Sequence, residues 1–167
     1  MTVAVYVPGK FLVADKLGVG GYKGIDRNKN KITTVEDKTE GRTHVVLAGI
    51  AMMPAFIQVL IKKHFHSTEA KKLDLSERLY KFKDEISPYV GENFEGIIVF
   101  DKLRKITAYK LSEKQVSEIN DFCAIGSGWY YAEGIYLKDK ETLPEDYPFL
   151  ISQREVTVGS DSDIVTF

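Results

Sequence analysis

The chain is poor in the residues that staple or interrupt a fold: 167 residues hold one cysteine, Cys123, one tryptophan and five prolines. A single cysteine excludes an internal disulfide, which suits a reducing compartment and leads us to expect a cytoplasmic location. Surplus charge is missing as well, since 23 Lys and Arg stand against 24 Asp and Glu, a net charge of −1. A nucleic-acid surface needs clustered cations that outweigh the acids around them. The densest basic spots, Lys62 with Lys63 and Lys71 with Lys72, flank a predicted helical hairpin and read as solvated faces. No apolar run reaches the ~20 residues of a membrane-spanning helix. The first residues lack the basic segment and long apolar stretch of a signal peptide. Neither a nucleic-acid partner nor a membrane is therefore expected. Low-complexity segments, internal repeats and Pro/Ser-rich linkers are also absent.

What is present is ordinary globular material, with 44% hydrophobic and 28% charged residues. That is enough chain to bury a core, and the length predicts one domain over residues 1–167. Residues 3–7 and 10–15 are rich in β-branched and aromatic types, and Pro8-Gly9 between them predicts a tight hairpin. The glycine-rich stretch from Gly18 to Gly24 lacks the Gly-Lys-Ser/Thr ending of a phosphate loop, so it reads as a turn between strands. Residues 30–36 and 43–51 read as a second strand pair. Pro54 can open a helix whose buried face carries Met52, Met53, Phe56, Ile57, Leu60 and His64. Asp74 and Glu77 have capping-box spacing, followed by an apolar stripe of Leu75, Leu79, Phe82 and Ile86, with Pro88 expected just beyond the helix end. Strands follow at 96–101 and 106–111, joined by a turn over 102–105. A short apolar strand at 122–126, helices at 128–137 and 147–153, and a terminal strand at 163–167 complete the reading. Strands paired in sequence, with helices gathered between them, predict an α+β fold of antiparallel sheets faced by helices rather than a doubly wound one.

Several segments, in this order, resemble one known family. They are Thr2-Val-Ala-Val, Leu12-Val-Ala-Asp15, Asn30-Lys31-Ile32, Val46-Leu-Ala-Gly49, Ala124-Ile-Gly-Ser127-Gly128, and the tail from Arg154 to Phe167. Together they resemble the proteasome β subunits and the HslV protease, members of the N-terminal-nucleophile (Ntn) hydrolases. The resemblance implies a four-layer αββα sandwich of antiparallel sheets. It also implies a threonine peptidase that cleaves peptide bonds inside a self-assembled homo-oligomeric ring. Peptides or unfolded proteins would be its substrates, and an unfoldase ATPase is a possible partner.

By the same resemblance, Thr2 becomes the nucleophile once Met1 is removed, and its own α-amine moves the proton. An α-amine with a pKa of about 7.7–8 is well placed for that near neutral pH. Lys31 matches the family's lysine beside the nucleophile, where a cation favours the alkoxide. Asp15 matches the acid that holds this lysine, and Ser127 the serine that hydrogen-bonds the terminal amine. The backbone N–H of Gly49 would stabilise the oxyanion, and Glu155 stands where the β subunits carry an aspartate. Val158 falls where they carry a second serine. The first hairpin is short, with Thr2 and Asp15 only 13 positions apart, so the strand register decides whether Thr2 reaches Lys31.

Each residue also has a plain structural reading. Asp15 at a strand end would cap a turn, Lys31 would lie on the surface, and Ser127 would cap the next helix. Two other functional readings stay open: a catalytically inactive proteasome-like subunit kept for structure or binding, and an amidase acting on small molecules. His64 and His66 find no nearby acid or cysteine in sequence to complete a metal set, so neither a metal nor another cofactor is expected. Cys123 in an apolar strand reads as a buried thiol.

Overall fold

The computed structural model describes residues 2–19, 25–26, 29–49 and 54–167. Within it Val3–Val7 and Phe11–Asp15 form β1 and β2, an antiparallel hairpin with Val7 opposite Phe11. Pro8 and Gly9 make the turn as the sequence predicts, with Gly9 at φ +67°. Gly18–Val19 and Ile25–Asp26 are short paired strands, β3 and β4. Most of the glycine-rich loop, residues 20–24, lies outside the described residues, as do Met52 and Met53.

The chain divides into two compact units. The first takes residues 1–32 and 119–167. Its four-stranded sheet joins β1 and β2 to β10 (Cys123–Gly126) and β11 (Ser162–Thr166), in the order β10-β1-β2-β11 and wholly antiparallel. Every residue of β1 and β2 is buried. Two helices complete the unit, α3 (Trp129–Lys138) and α4 (Asp146–Ser152). Val3, Val5, Val7, Phe11 and Val13 line up at period two and pack with Ala132, Tyr147, Ile151 and Val158. Cys123 is only half-buried, contrary to the expectation of a buried thiol, because β10 is an edge strand of its sheet.

The second unit, residues 33–118, is contiguous. Its five-stranded antiparallel sheet runs β5-β6-β7-β8-β9: Thr33–Asp37, Gly41–Ala48, Glu95–Lys102, Lys105–Ser112 and Val116–Glu118. The last of these strands had no signal in the sequence. Helix α1 (Pro54–Ile61) continues into a π-helical turn, Lys62–His66, and α2 spans Leu75–Val90. Asp74 caps α2 by accepting from the Glu77 N–H at 2.8 Å, as its spacing predicts. Pro88 lies inside α2 rather than beyond it, and the helix ends at Gly91. So near the end, a proline removes a single N–H from the ladder, while buried Ile86 and Val90 hold the turn against the core. Leu60, Ile61, Phe65, Leu79, Phe82 and Ile86 form that core with Val35, Val45, Ile98 and Leu111 of the sheet.

Two core groups set testable stabilities. Tyr147 is fully buried among Phe11 and Phe122, and among the described residues its hydroxyl has no hydrogen-bond partner. Burial pushes this phenol up to about 12. Tyr147→Phe removes a desolvated hydroxyl and leaves the ring packing, so urea unfolding should show no loss of stability and a gain of up to ~1 kcal/mol. His44 is 1% exposed, and burial, helped by the Arg42 cation, pushes its imidazole down to about 4. The unfolded imidazole takes its proton near 6.5, and the folded one refuses it until about 4. The stability this contributes is complete above pH 6.5 and is lost as the pH falls toward 4. Unfolding free energies measured across that window should drop by about 3 kcal/mol, and His44→Gln should flatten the profile.

Candidate active site

The site grows from one carboxylate. β2 reads Phe-Leu-Val-Ala and ends on Asp15, so the strand that carries apolar residues into the core delivers an acid with 0% exposure. A buried charge must be paired and hydrogen-bonded. Asp15 Oδ1 accepts from the Val3 N–H at 2.9 Å and from Lys31 Nζ at 2.9 Å. Its Oδ2 accepts from the N–H groups of Leu17 at 3.1 Å and Gly159 at 3.0 Å. Gly159 is there for room: a Cβ at that position would meet Leu17 Cβ at 2.7 Å.

Lys31 is no surface lysine, for its side chain is 8% exposed. Burial lowers its pKa from the ordinary lysine value, while the Asp15 charge and hydrogen bond pull it back up. The segment that carries it is held by Asp163 of β11, whose Oδ2 accepts from the N–H groups of both Lys31 and Ile32 at 2.8 Å. Sequence reasoning set Asp163 at the start of the terminal strand and gave it no role.

Thr2 is 6% exposed. Both polar atoms of the Thr2–Val3 peptide are held by side chains or backbone of the candidate set. The Val3 N–H donates to Asp15, and the Thr2 carbonyl accepts from the Ser127 N–H at 3.0 Å. Ser127 does not cap the following helix: Gly128 occupies the cap position without a side-chain bond. Its hydroxyl lies 3.2 Å from Thr157 Oγ1 instead. Thr157 in turn donates its hydroxyl to Glu155 Oε1 at 2.7 Å, and its N–H reaches the same oxygen at 3.1 Å. These bonds hold the Glu155 carboxyl below the usual range.

The polarity of this chain follows from the donors. An ionised carboxylate only accepts, so Thr157 spends its one hydroxyl proton on Glu155. Thr157 then accepts from Ser127, and Ser127 is left with lone pairs alone for any third partner. A group that donates, such as an ammonium, fits there. Val158 is buried in the core and carries no hydroxyl, but Thr157 supplies one a residue earlier. The sequence reading overlooked Thr157 by looking only at the position that the family pattern marks.

Thr2, Asp15, Lys31 and Ser127 thus converge, and Glu155 joins them through Thr157. Gly49 belongs to the other compact unit, where it follows β6 at φ +139°, a conformation that suits only glycine, with Val90 O 3.4 Å from where a Cβ would sit. Among the described residues no group of His, Cys, Asp or Glu could hold a metal ion. Nor, among them, is any helix long and apolar enough to cross a membrane.

Two antiparallel sheets with helices on this chain order define a proteasome-like fold of the Ntn-hydrolase class. The solved structures it resembles are of that kind. Anbu from Hyphomicrobium sp. strain MC1 matches with a TM-score of 0.74 at 14% identity, over 100% of this chain and 82% of its own. Anbu from Yersinia bercovieri, described as an ancestral beta-subunit, matches at 0.71 and 14% identity, over 99% and 80%. Eukaryotic HslV from Trypanosoma brucei matches at 0.67 and 13% identity, over 99% and 98%. No protein-family model and no curated protein matches the sequence.

The Asp15 cluster predicts an asymmetry between its two charged members. Asp15→Asn keeps one acceptor oxygen, turns an amide N–H₂ toward other N–H donors, and takes the negative charge from beside a buried cation, which should cost about 3–5 kcal/mol. Lys31→Met leaves the carboxylate its three backbone donors and should cost less, roughly 1–3 kcal/mol. Chemical denaturation of the two variants and their double mutant checks the order; a larger loss in Lys31→Met would contradict it.

Proposed function

We propose that this chain is a proteasome-type threonine peptidase subunit built as one domain over residues 1–167. The observation that carries the reading is the clamped Thr2–Val3 peptide, fixed by Asp15 on one side and by Ser127 on the other, with Lys31 on the same Asp15 oxygen. The reading assigns the α-amine of Thr2, once Thr2 is the first residue, to the Ser127 hydroxyl, which can only accept.

In the proposed reaction the Thr2 hydroxyl adds to the substrate carbonyl and its proton passes to the neutral α-amine. The Lys31 cation stabilises the developing negative charge at Oγ, and the Gly49 N–H takes the oxyanion. Collapse of the adduct breaks the C–N bond, the α-ammonium returns the proton to the leaving amine, and an ester to Thr2 remains. Water then releases the acid by the same proton route. Peptides or unfolded proteins are the proposed substrates, a homo-oligomeric ring the proposed assembly, and an unfoldase ATPase a possible partner. A reducing, cytoplasmic setting suits the lone thiol.

A second reading, an inactive structural or binding subunit, draws on Val158, which is apolar and buried at the position of a family serine. Activity separates the two. Mass spectrometry of the purified protein should show Thr2 as the first residue, and a fluorogenic peptide should be cleaved. Thr2→Ala should abolish turnover, and Lys31→Ala should lower it by at least about 100-fold. Equal turnover in the Thr2→Ala form, or retained Met1 with no cleavage, supports the inactive reading. Thr157→Val should lower kcat by roughly tenfold and move the acidic limb of the pH profile, and Thr157→Ser should restore both.

A further inference from the structure

The unit of residues 33–118 contains a hollow of about 530 Å³ that the peptidase reading leaves unused. That volume lies within the range of small-molecule sites. Its floor is aromatic. Phe65 is 2% exposed and stands edge-on to Phe100 at 5.1 Å between ring centres, and Phe100 meets Tyr109 at 6.1 Å. The rim is cationic. Arg78, Lys102 and Lys105 line it against one acid, Glu40, three positive charges to one negative.

Glu40 is already engaged, at 3.4 Å from Lys102 and 3.8 Å from Lys71. Among the described residues no acid pairs with Arg78 or Lys105. Arg78 commits its Nε to the Leu73 carbonyl at 3.0 Å, which fixes the plane of the guanidinium and leaves its terminal nitrogens as donors. His66 is hydrogen-bonded to Thr43 Oγ1 at 2.9 Å, and burial lowers its pKa, so it serves as a neutral group here.

At the mouth sits the β7–β8 turn. Both of its central residues, Leu103 at φ +50° and Arg104 at φ +64°, lie in the left-handed region without being glycine. Turns of this shape favour Asn-Gly, so Leu-Arg holds strain. The strained tip keeps Leu103, 90% exposed, as an apolar edge of the hollow between Lys102 and Lys105.

We propose that this hollow binds a small amphipathic carboxylate, an aromatic or alkyl body carrying one terminal anion. The body stacks on Phe65, Phe100 and Tyr109. The carboxylate meets Arg78 and Lys105, two cations with no acid of their own. A cationic ligand would be repelled by the rim, and a neutral one would gain only the floor.

The test is binding of 1-naphthylacetate to the full chain, followed by its own fluorescence and by backbone NMR shifts. 1-Naphthaleneacetamide and 1-naphthylmethylammonium keep the ring and change only the charge. The anion should bind at least ten times tighter than the amide, the ammonium should not bind, and the shifts should centre on the residues lining the hollow. Lys105→Glu, an exposed change at a hairpin tip, should weaken naphthylacetate at least tenfold, and so should Arg78→Gln. Equal binding of all three compounds, no binding of the anion, shifts centred elsewhere, or an unchanged affinity in Lys105→Glu would overturn the proposal. None of these readouts depends on peptidase activity.

Discussion

A buried carboxylate that must be satisfied organises the first unit of this chain. Asp15 carries a formal charge at 0% exposure, where an unpaired anion would be intolerable, and four donors answer it. They arrive from residues 3, 17, 31 and 159, so one side chain gathers the start of the chain, the segment before the second unit, and the tail. The requirement is mutual. Lys31 keeps its charge in a buried place because Asp15 is there, and burial has already made that charge easier to lose.

A second polar chain, from Glu155 through Thr157 to Ser127, obeys the same donor accounting but is partly open to solvent. Its value is directional. A carboxylate at one end orders both hydroxyl protons toward itself, and the other end is left electron-rich. Charge and hydrogen-bond polarity therefore converge on residue 2 from both sides, with a cation held at Asp15 and an acceptor held at Ser127. β1 lies between β10 and β2, so the ends of those two strands bring Ser127 and Asp15 to the start of β1 from opposite sides.

Much of this was legible in the sequence, for local reasons. Pro8-Gly9 between two β-branched runs marks a hairpin, and Asp74 three residues before Glu77 marks a helix start; both depend only on neighbours. Asp15, Lys31 and Ser127 emerged because their flanking residues match a pattern. What stayed hidden was non-local. Asp163 and Gly159 act on residues more than a hundred positions away, and nothing in Ser160-Asp-Ser-Asp163 distinguishes a clamp from a turn. Thr157 was passed over because the hydroxyl sits one residue earlier in the tail, a shift that a fixed pattern cannot follow. Pro88 was expected to stop α2, since breaker rules ignore the burial of Val90 beyond it. The Leu103–Arg104 turn lacks every residue that would announce its shape.

The tail contacts carry a consequence for the life of the molecule. The second unit is contiguous in sequence and can acquire its strand pairings while later residues are still being made. The first unit cannot. Gly159 and Asp163 are translated last among the groups that hold Asp15 and Lys31 in place. A chain still leaving the ribosome therefore exposes residue 2 and its lysine without the anchors that align them. The alignment of residue 2 with Lys31 is withheld until residues 159–163 have been synthesised, a timing device that follows from hydrogen bonding alone.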